Sequence, residues 1–397
     1  MSNTFPTPSS STLFATAQSF LSSSTCTLSS FTTSDGLPLS TLSCAPSSKP
    51  NGETILFMTG WNESYIKYWE FLRRLTSQGY KVLTLDHRSQ GFSGRTLSVR
   101  DVSHVSDFEL YVSDASEYAL SSFFGPAGCG AKISIIGHSM GGLVALKLAE
   151  RLGTSRVHSV STVAPMICFK TPPFPWAVAG VLGKVLPSLG LGEDYTVGFP
   201  KEGWEPELMN WPKECSHDVE RNGCWARQQE KDPIVTLAGP SNTWVNAAWN
   251  ACEGFLKSYA SPGCGRYPVP WIMIRPTDDR FVHVGSQEVF CSMQRGGGRV
   301  VKVLGAYHEA LVECDEIREG VLGEIEGFVR AHHEGKEGRE EMYEEVELRP
   351  AIPDLPEFQV RKMQKKGGGN GNIATLTVVI AAAVAIGGAV WLRGRRI

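Results

Sequence analysis

The stretch that most restricts the fold is Ile133 to Gly153, "ISIIGHSMGGLVALKLAERLG". A β-branched apolar run passes directly into a helix-forming one that ends at Gly153, and the join reads Gly137-His138-Ser139-Met140-Gly141, with a further glycine at Gly142. A short apolar run bounded by glycine reads as a buried strand, and the Leu- and Ala-rich segment after it as a helix. A serine flanked at two residues on either side by glycine, between strand and helix, sits on a turn too sharp for larger neighbours. The helix that follows aims its first N–H groups and its positive dipole end at that serine. Ser139 is therefore expected at the carboxyl edge of a parallel sheet, where such sheets bind their ligands.

The surrounding chain repeats the alternation. "TILFM" (Thr54 to Met58) reads as a strand, "YIKYWEFLRRLTSQG" as a helix closed by Gly79, "YKVLTLD" as a strand, and "VHSVSTVAPM" as the strand after the Ser139 helix. Strand and helix in turn predict an α/β fold with a doubly wound, mostly parallel sheet. The pattern stops after Met166 and returns with "PVPWIMIRP", "RVVKVLG" and the helix "EIREGVLGEIEGFVRAHH". The intervening residues 167–262 carry Trp176, Trp204, Trp211, Trp225, Trp244 and Trp249. That concentration predicts an inserted helical cap whose aromatic rings pack together and wall a pocket. The core then comprises residues 26–166 and 263–333.

The two ends differ from this middle. Residues 1–34 contain no charged side chain and are rich in Ser and Thr; 1–25 read as a disordered leader, and the Arg expected of a transit peptide is missing. Residues 334–372, charged and then Gly-rich, read as a tether. Residues 373–392, "IATLTVVIAAAVAIGGAVWL", form an uncharged apolar run before the basic tail 393–397. About twenty such residues cover the ~30 Å hydrocarbon core, which predicts a C-terminal transmembrane helix with the folded domain on the cytosolic side. A net charge of −3 supplies no basic field for nucleic acid. The ten cysteines lack metal-ligand spacing and read as reduced thiols, so no structural zinc is expected.

A serine hydroxyl becomes a nucleophile only when a base takes its proton, and the base must be oriented by a carboxylate. His308, in "LGAYHEALVE" after a late strand, is the favoured base, with His283 the alternative. Asp278 and Asp279 follow the preceding strand, and spacing leaves the choice between them open. Two backbone N–H groups are needed for the oxyanion: Met140, next to the serine, and Trp61, in the early loop "MTGWNES".

Taken together, "TGWNESYIKYWEFLRRLTSQGYKVLTLDHRSQGFSGR", "GHSMGGLVALKLA", "GPSNTWV" and "GAYHEALVECDEIREGVLGEIEGFV" resemble the lysophospholipase and monoacylglycerol lipase group of α/β-hydrolases, from about Phe31 to His332. "ESYIKYWE" and "GAYHE" are closest to the bacterial-type lysophospholipases. The resemblance implies Ser139 as nucleophile, His308 as base, Asp279 (directly before Arg280) as acid, and Trp61 and Met140 as oxyanion donors. It implies no metal and no cofactor, and as substrate a lipid with one acyl chain, reached from the membrane that holds the C-terminal helix. Two departures stand out: Thr59-Gly60 replaces the usual His-Gly, and "DHRSQG" has Ser89 where glycine is usual. Other readings of the same fold are an esterase, a thioesterase, a peptidase that binds an amine through Glu205, Glu207 or Asp218, or a lipid-binding protein without catalysis.

Overall fold

The computed structural model describes residues 9–125, 131–197, 214–294, 298–335 and 344–351. A hairpin of β1 (Cys26–Thr32) and β2 (Pro38–Cys44) forms one edge of the main sheet, and β2 runs antiparallel to β4 (Lys81–Leu85). From β4 the sheet continues in parallel through β3 (Thr54–Met58), β6 (Ile133–His138), β7 (Val157–Val163), β9 (Trp271–Pro276), β10 (Gly298–Val303) and β11 (Glu344–Leu348). A two-residue ribbon pairs β5 (Val102–Ser103) with β8 (Gly239–Pro240).

Side chains alternate across a strand, so each parallel strand must satisfy two cores. Ile55 and Phe57 of β3 face α2 (Trp69–Ser77) and α9 (Asp315–His333), while Leu56 and Met58 face α3 (Glu109–Ala119), α4 (Ser139–Leu152) and α8 (Val284–Met293). Every residue of β3, β6 and β9 is buried. Burial on both faces is why these strands read as unbroken apolar runs rather than alternating ones.

Between β7 and β9 the chain forms α5 (Trp176–Leu186), α6 (Val219–Lys231) and α7 (Asn242–Tyr259). Trp176 stacks on Trp249 with centroids 5.8 Å apart, and a Cβ at Gly180 would come within 2.4 Å of the Trp249 ring. That close approach is what lets α5 lie against α7. The inner side of α7 belongs to the sheet: Ala248, Cys252 and Phe255 pack into the same core as Phe290 of α8. Buried Arg221 fastens α6 to the core, bonding Asp218, Glu70 and Asp315 at 2.6–2.8 Å. Trp204, Trp211, Glu205 and Glu207 lie outside the described residues.

The termini depart from expectation. The expected C-terminal transmembrane helix is corrected: among the described residues no helix is long and apolar enough to cross a membrane. The longest, α7 and α9, carry polar or charged side chains along one face, as surface helices do. The run 373–392 itself lies outside the described residues. With that helix fall the single-pass anchor and the placement of the domain on a cytosolic face.

Within the leader, α1 (Ser10–Leu21) is capped by Ser9 and buries Leu13 and Ala17 against Trp69 and Cys224. Within the tether, β11 extends the sheet. Val346 and Leu348 pack on the core while Glu344 and Glu345 pair with Arg299 and Lys302 across the strand pair. Cross-strand charge pairing of this kind suits a highly charged segment to an exposed edge. The described cysteines are all free thiols.

Candidate active site

The chain leaves β6 and enters α4 without a connecting loop, and Ser139 takes the strain with φ 53°. A non-glycine residue in that region costs energy and persists only where its surroundings demand it. They do so here through the flanking glycines. A Cβ at Gly137 would lie 2.3 Å from the Gly141 carbonyl oxygen, and one at Gly141 would lie 2.2 Å from that of Thr59.

His308 Nε2 is 2.9 Å from Ser139 Oγ, and His308 Nδ1 is 2.6 Å from Asp279 Oδ2. The other Asp279 oxygen accepts from the N–H groups of Phe281 (2.8 Å) and Val282 (3.0 Å). Burial alone would raise the Asp279 pKa; the facing imidazole and these two N–H groups outweigh it and leave the carboxyl below its ordinary value. The structure thus brings Ser139, His308 and Asp279 together. Asp278 turns away to Thr277 Oγ1 at 3.1 Å, and His283 is exposed beside Ser286 at the start of α8.

The loop after β3 crosses directly over the serine. A Cβ at Gly60 would meet Glu63 Oε2 at 2.8 Å and Ser139 Cβ at 3.1 Å, so glycine gives this loop its close approach to both side chains. Gln90 Nε2 donates to the Gly60 carbonyl at 2.8 Å and fixes the plane of the peptide whose N–H belongs to Trp61. The Met140 N–H lies in the first turn of α4, where backbone donors have no intrahelical acceptor.

Behind these groups is a buried ionic cluster that the sequence reading did not assign. Lys67 Nζ lies 2.7 Å from both Glu63 Oε1 and Glu309 Oε1. Glu63 Oε2 accepts from Tyr68 OH at 2.7 Å and from the Gly60 N–H. His138 Nδ1 meets Tyr68 OH at 2.9 Å, and its Nε2 donates to the His308 carbonyl at 3.2 Å. Burial disfavours the charged forms of Glu63 and His138, yet the opposite charges facing them prevail. Lys67 and His138 hold Glu63 well below its ordinary pKa, while Glu309 and Glu63 raise His138 above its own. The cluster ties the loop after β3, the residue before Ser139 and the backbone of His308 into one unit. The available signal was the i,i+4 spacing of Glu63 and Lys67 inside "ESYIKYWE".

Ser89 adopts φ 60°, a left-handed conformation that explains why glycine is usual at this position. Its hydroxyl meets Thr96 Oγ1 at 2.8 Å, a contact glycine would not make.

A cavity of about 440 Å³ opens above Ser139 and His308. Its walls are Trp61 and Met166 together with Phe174, Leu182, Leu186 and Trp244 from residues 167–262. Among the described residues, Lys170, Arg280 and Glu214 are the charged residues around it besides the buried Glu63 and Glu309. Asp218 is not available to a ligand amine: it caps α6 and pairs with Arg221.

The profile of the serine aminopeptidase S33 family matches residues 49–315. The chain is 28% identical over 287 residues to lysophospholipase L2 of Escherichia coli (strain K12), covering 70% of this chain and 81% of that one. It is 24% identical over 289 residues to the human monoglyceride lipase, covering 71% and 84%. A solved structure of a soluble variant of monoglyceride lipase from Saccharomyces cerevisiae, in complex with a substrate analog, matches with TM-score 0.61 at 16% identity, covering 79% of this chain and 97% of that one.

Proposed function

We propose that this chain, which belongs to the serine aminopeptidase S33 family, cleaves the carboxylic ester of single-acyl-chain lipids through an acyl-enzyme on Ser139. It is a carboxylic ester hydrolase of the lysophospholipase and monoglyceride lipase type. The observation that carries the mechanism is the continuous relay Ser139–His308–Asp279, at 2.9 and 2.6 Å, beneath a predominantly apolar cavity.

In the first step His308 Nε2 takes the Ser139 proton as Oγ attacks the ester carbonyl. Asp279 holds the ring with Nδ1 protonated and stabilises the imidazolium. The Trp61 and Met140 N–H groups receive the charge that develops on the carbonyl oxygen. His308 then protonates the leaving alkoxide, and a water activated by the same imidazole releases the fatty acid. The acyl chain lies between the cap and the tryptophan wall, and the polar head group remains at the mouth near Lys170 and Arg280.

The test is fatty-acid release from lysophosphatidylcholine and from monoacylglycerol by the full chain and by Ser139→Ala. Turnover is expected to fall by roughly 10⁴–10⁶-fold in the variant with the fold unchanged. Equal activity of the alanine form, or no cleavage of either lipid, would sink the proposal.

A further inference from the structure

At the other end of the sheet, where the parallel strands begin, Glu53, His158 and His333 converge. Glu53 immediately precedes β3, His158 is the second residue of β7, and His333 ends α9. The Glu53 side chain is 1% exposed. Its Oε1 accepts from Ser134 Oγ at 2.7 Å, whereas its Oε2 has no hydrogen-bond partner. That oxygen lies 3.6 Å from His158 Nε2 and 3.3 Å from His333 Nε2, and the two rings meet edge-on at 87°. Both imidazoles reach solvent, with side chains 19% and 28% exposed.

We propose that Glu53 Oε2, His158 Nε2 and His333 Nε2 form a binding site for a divalent transition-metal cation of the zinc type, with solvent completing the coordination. Ligand atoms bound at about 2.0–2.1 Å to a tetrahedral zinc lie about 3.4 Å apart, the spacing these atoms already have around Glu53 Oε2. Two imidazoles and one carboxylate suit zinc and its neighbours rather than magnesium or calcium, which take oxygen ligands. Ser134 orients the carboxylate, as outer-shell partners of metal ligands do.

The contrast with the cluster behind the active site sharpens the assignment. Glu63, His138 and Glu309 are also close enough to share an ion, but there Lys67 Nζ occupies the cation position and pairs with both carboxylates. No lysine or arginine pairs with Glu53 among the ion pairs of the described residues. Cysteine spacing predicts no zinc site, and no cysteine takes part. A bound cation would clip the last turn of α9 to the start of β3 and to β7.

The full chain, stripped with a chelator and dialysed, is titrated with zinc chloride by calorimetry and followed by thermal unfolding. One zinc per chain and a rise in Tm are expected, since an ion that binds only the folded state stabilises it. His158→Gln with His333→Gln should lose that equivalent and the Tm rise while keeping ester hydrolysis, because neither residue belongs to the Ser139 relay. Both residues are partly exposed, so the fold should survive. Cobalt in the unmutated chain provides a check independent of the variants: its spectrum should lack thiolate charge transfer. No zinc uptake, unchanged uptake by the double variant, or a thiolate band would each overturn the assignment.

Discussion

Asp279 divides its two oxygens between distinct tasks, one on the His308 ring and one on the backbone of Phe281 and Val282. Asp279→Asn should keep the geometry but favour the wrong imidazole tautomer, lowering kcat by about 10⁴-fold in ester hydrolysis. Stability should follow pH as well. The carboxyl titrates below its ordinary 3.8 when folded, so the contribution of the ionised form is complete above that value and is lost as pH falls through the depressed one. The stability gap between the parent and Asp279→Asn, read by urea unfolding, should therefore be widest above about pH 4 and close in stronger acid. A gap independent of pH would remove the charge from this account. Spacing alone could not separate Asp278 from Asp279, because adjacent side chains differ only in direction. The direction is set by the N–H groups of the turn and by Lys170 Nζ, which donates to the Asp279 carbonyl at 2.7 Å.

Three separate elements meet at the Glu63–Lys67–His138–Glu309 cluster: the turn after β3, the end of β6 and the loop after β10. Glu63→Gln would weaken the pull on Lys67 and on the Gly60 N–H without touching the relay itself. Its kcat should fall about 10- to 100-fold, less than the loss from deleting an oxyanion donor, with KM little changed. A rise in KM at constant kcat would instead make Glu63 a substrate contact, since it also borders the cavity. The central parallel strands β3, β6 and β9 were legible because they are buried throughout and read as apolar runs, whereas the half-exposed β1–β2 hairpin was not read. Nor were α1 and β11. The leader lacks charge but places Leu13 and Ala17 one helical turn apart, a short signal within a Ser-rich background. β11 hides its alternation among glutamates that only its neighbour's Arg299 and Lys302 make favourable.

Across the whole molecule, the cavity exists because α5 of the cap stands over the carboxyl ends of the strands. Leu182, buried and lining the cavity, marks the cap side. Leu182→Trp should shorten the accessible chamber, and each methylene of substrate no longer buried forfeits about 0.8 kcal/mol. A chain-length series of monoacylglycerols should then show kcat/KM for long chains falling more than tenfold while short esters are unaffected. A uniform loss across the series would place the acyl chain elsewhere. What the sequence by itself determined is what depends on local pattern: the α/β alternation, the glycine-bounded turn at Ser139, and His308 on the loop after β10. Tertiary structure decided what depends on direction and on partners far along the chain. It turned Asp279 rather than Asp278 toward His308, gathered Glu63, Lys67 and Glu309 behind His138, and drew α1 and β11 onto the core. It also brought Glu53, His158 and His333 to one point, since convergence of residues so distant in the chain leaves no periodic trace in the sequence.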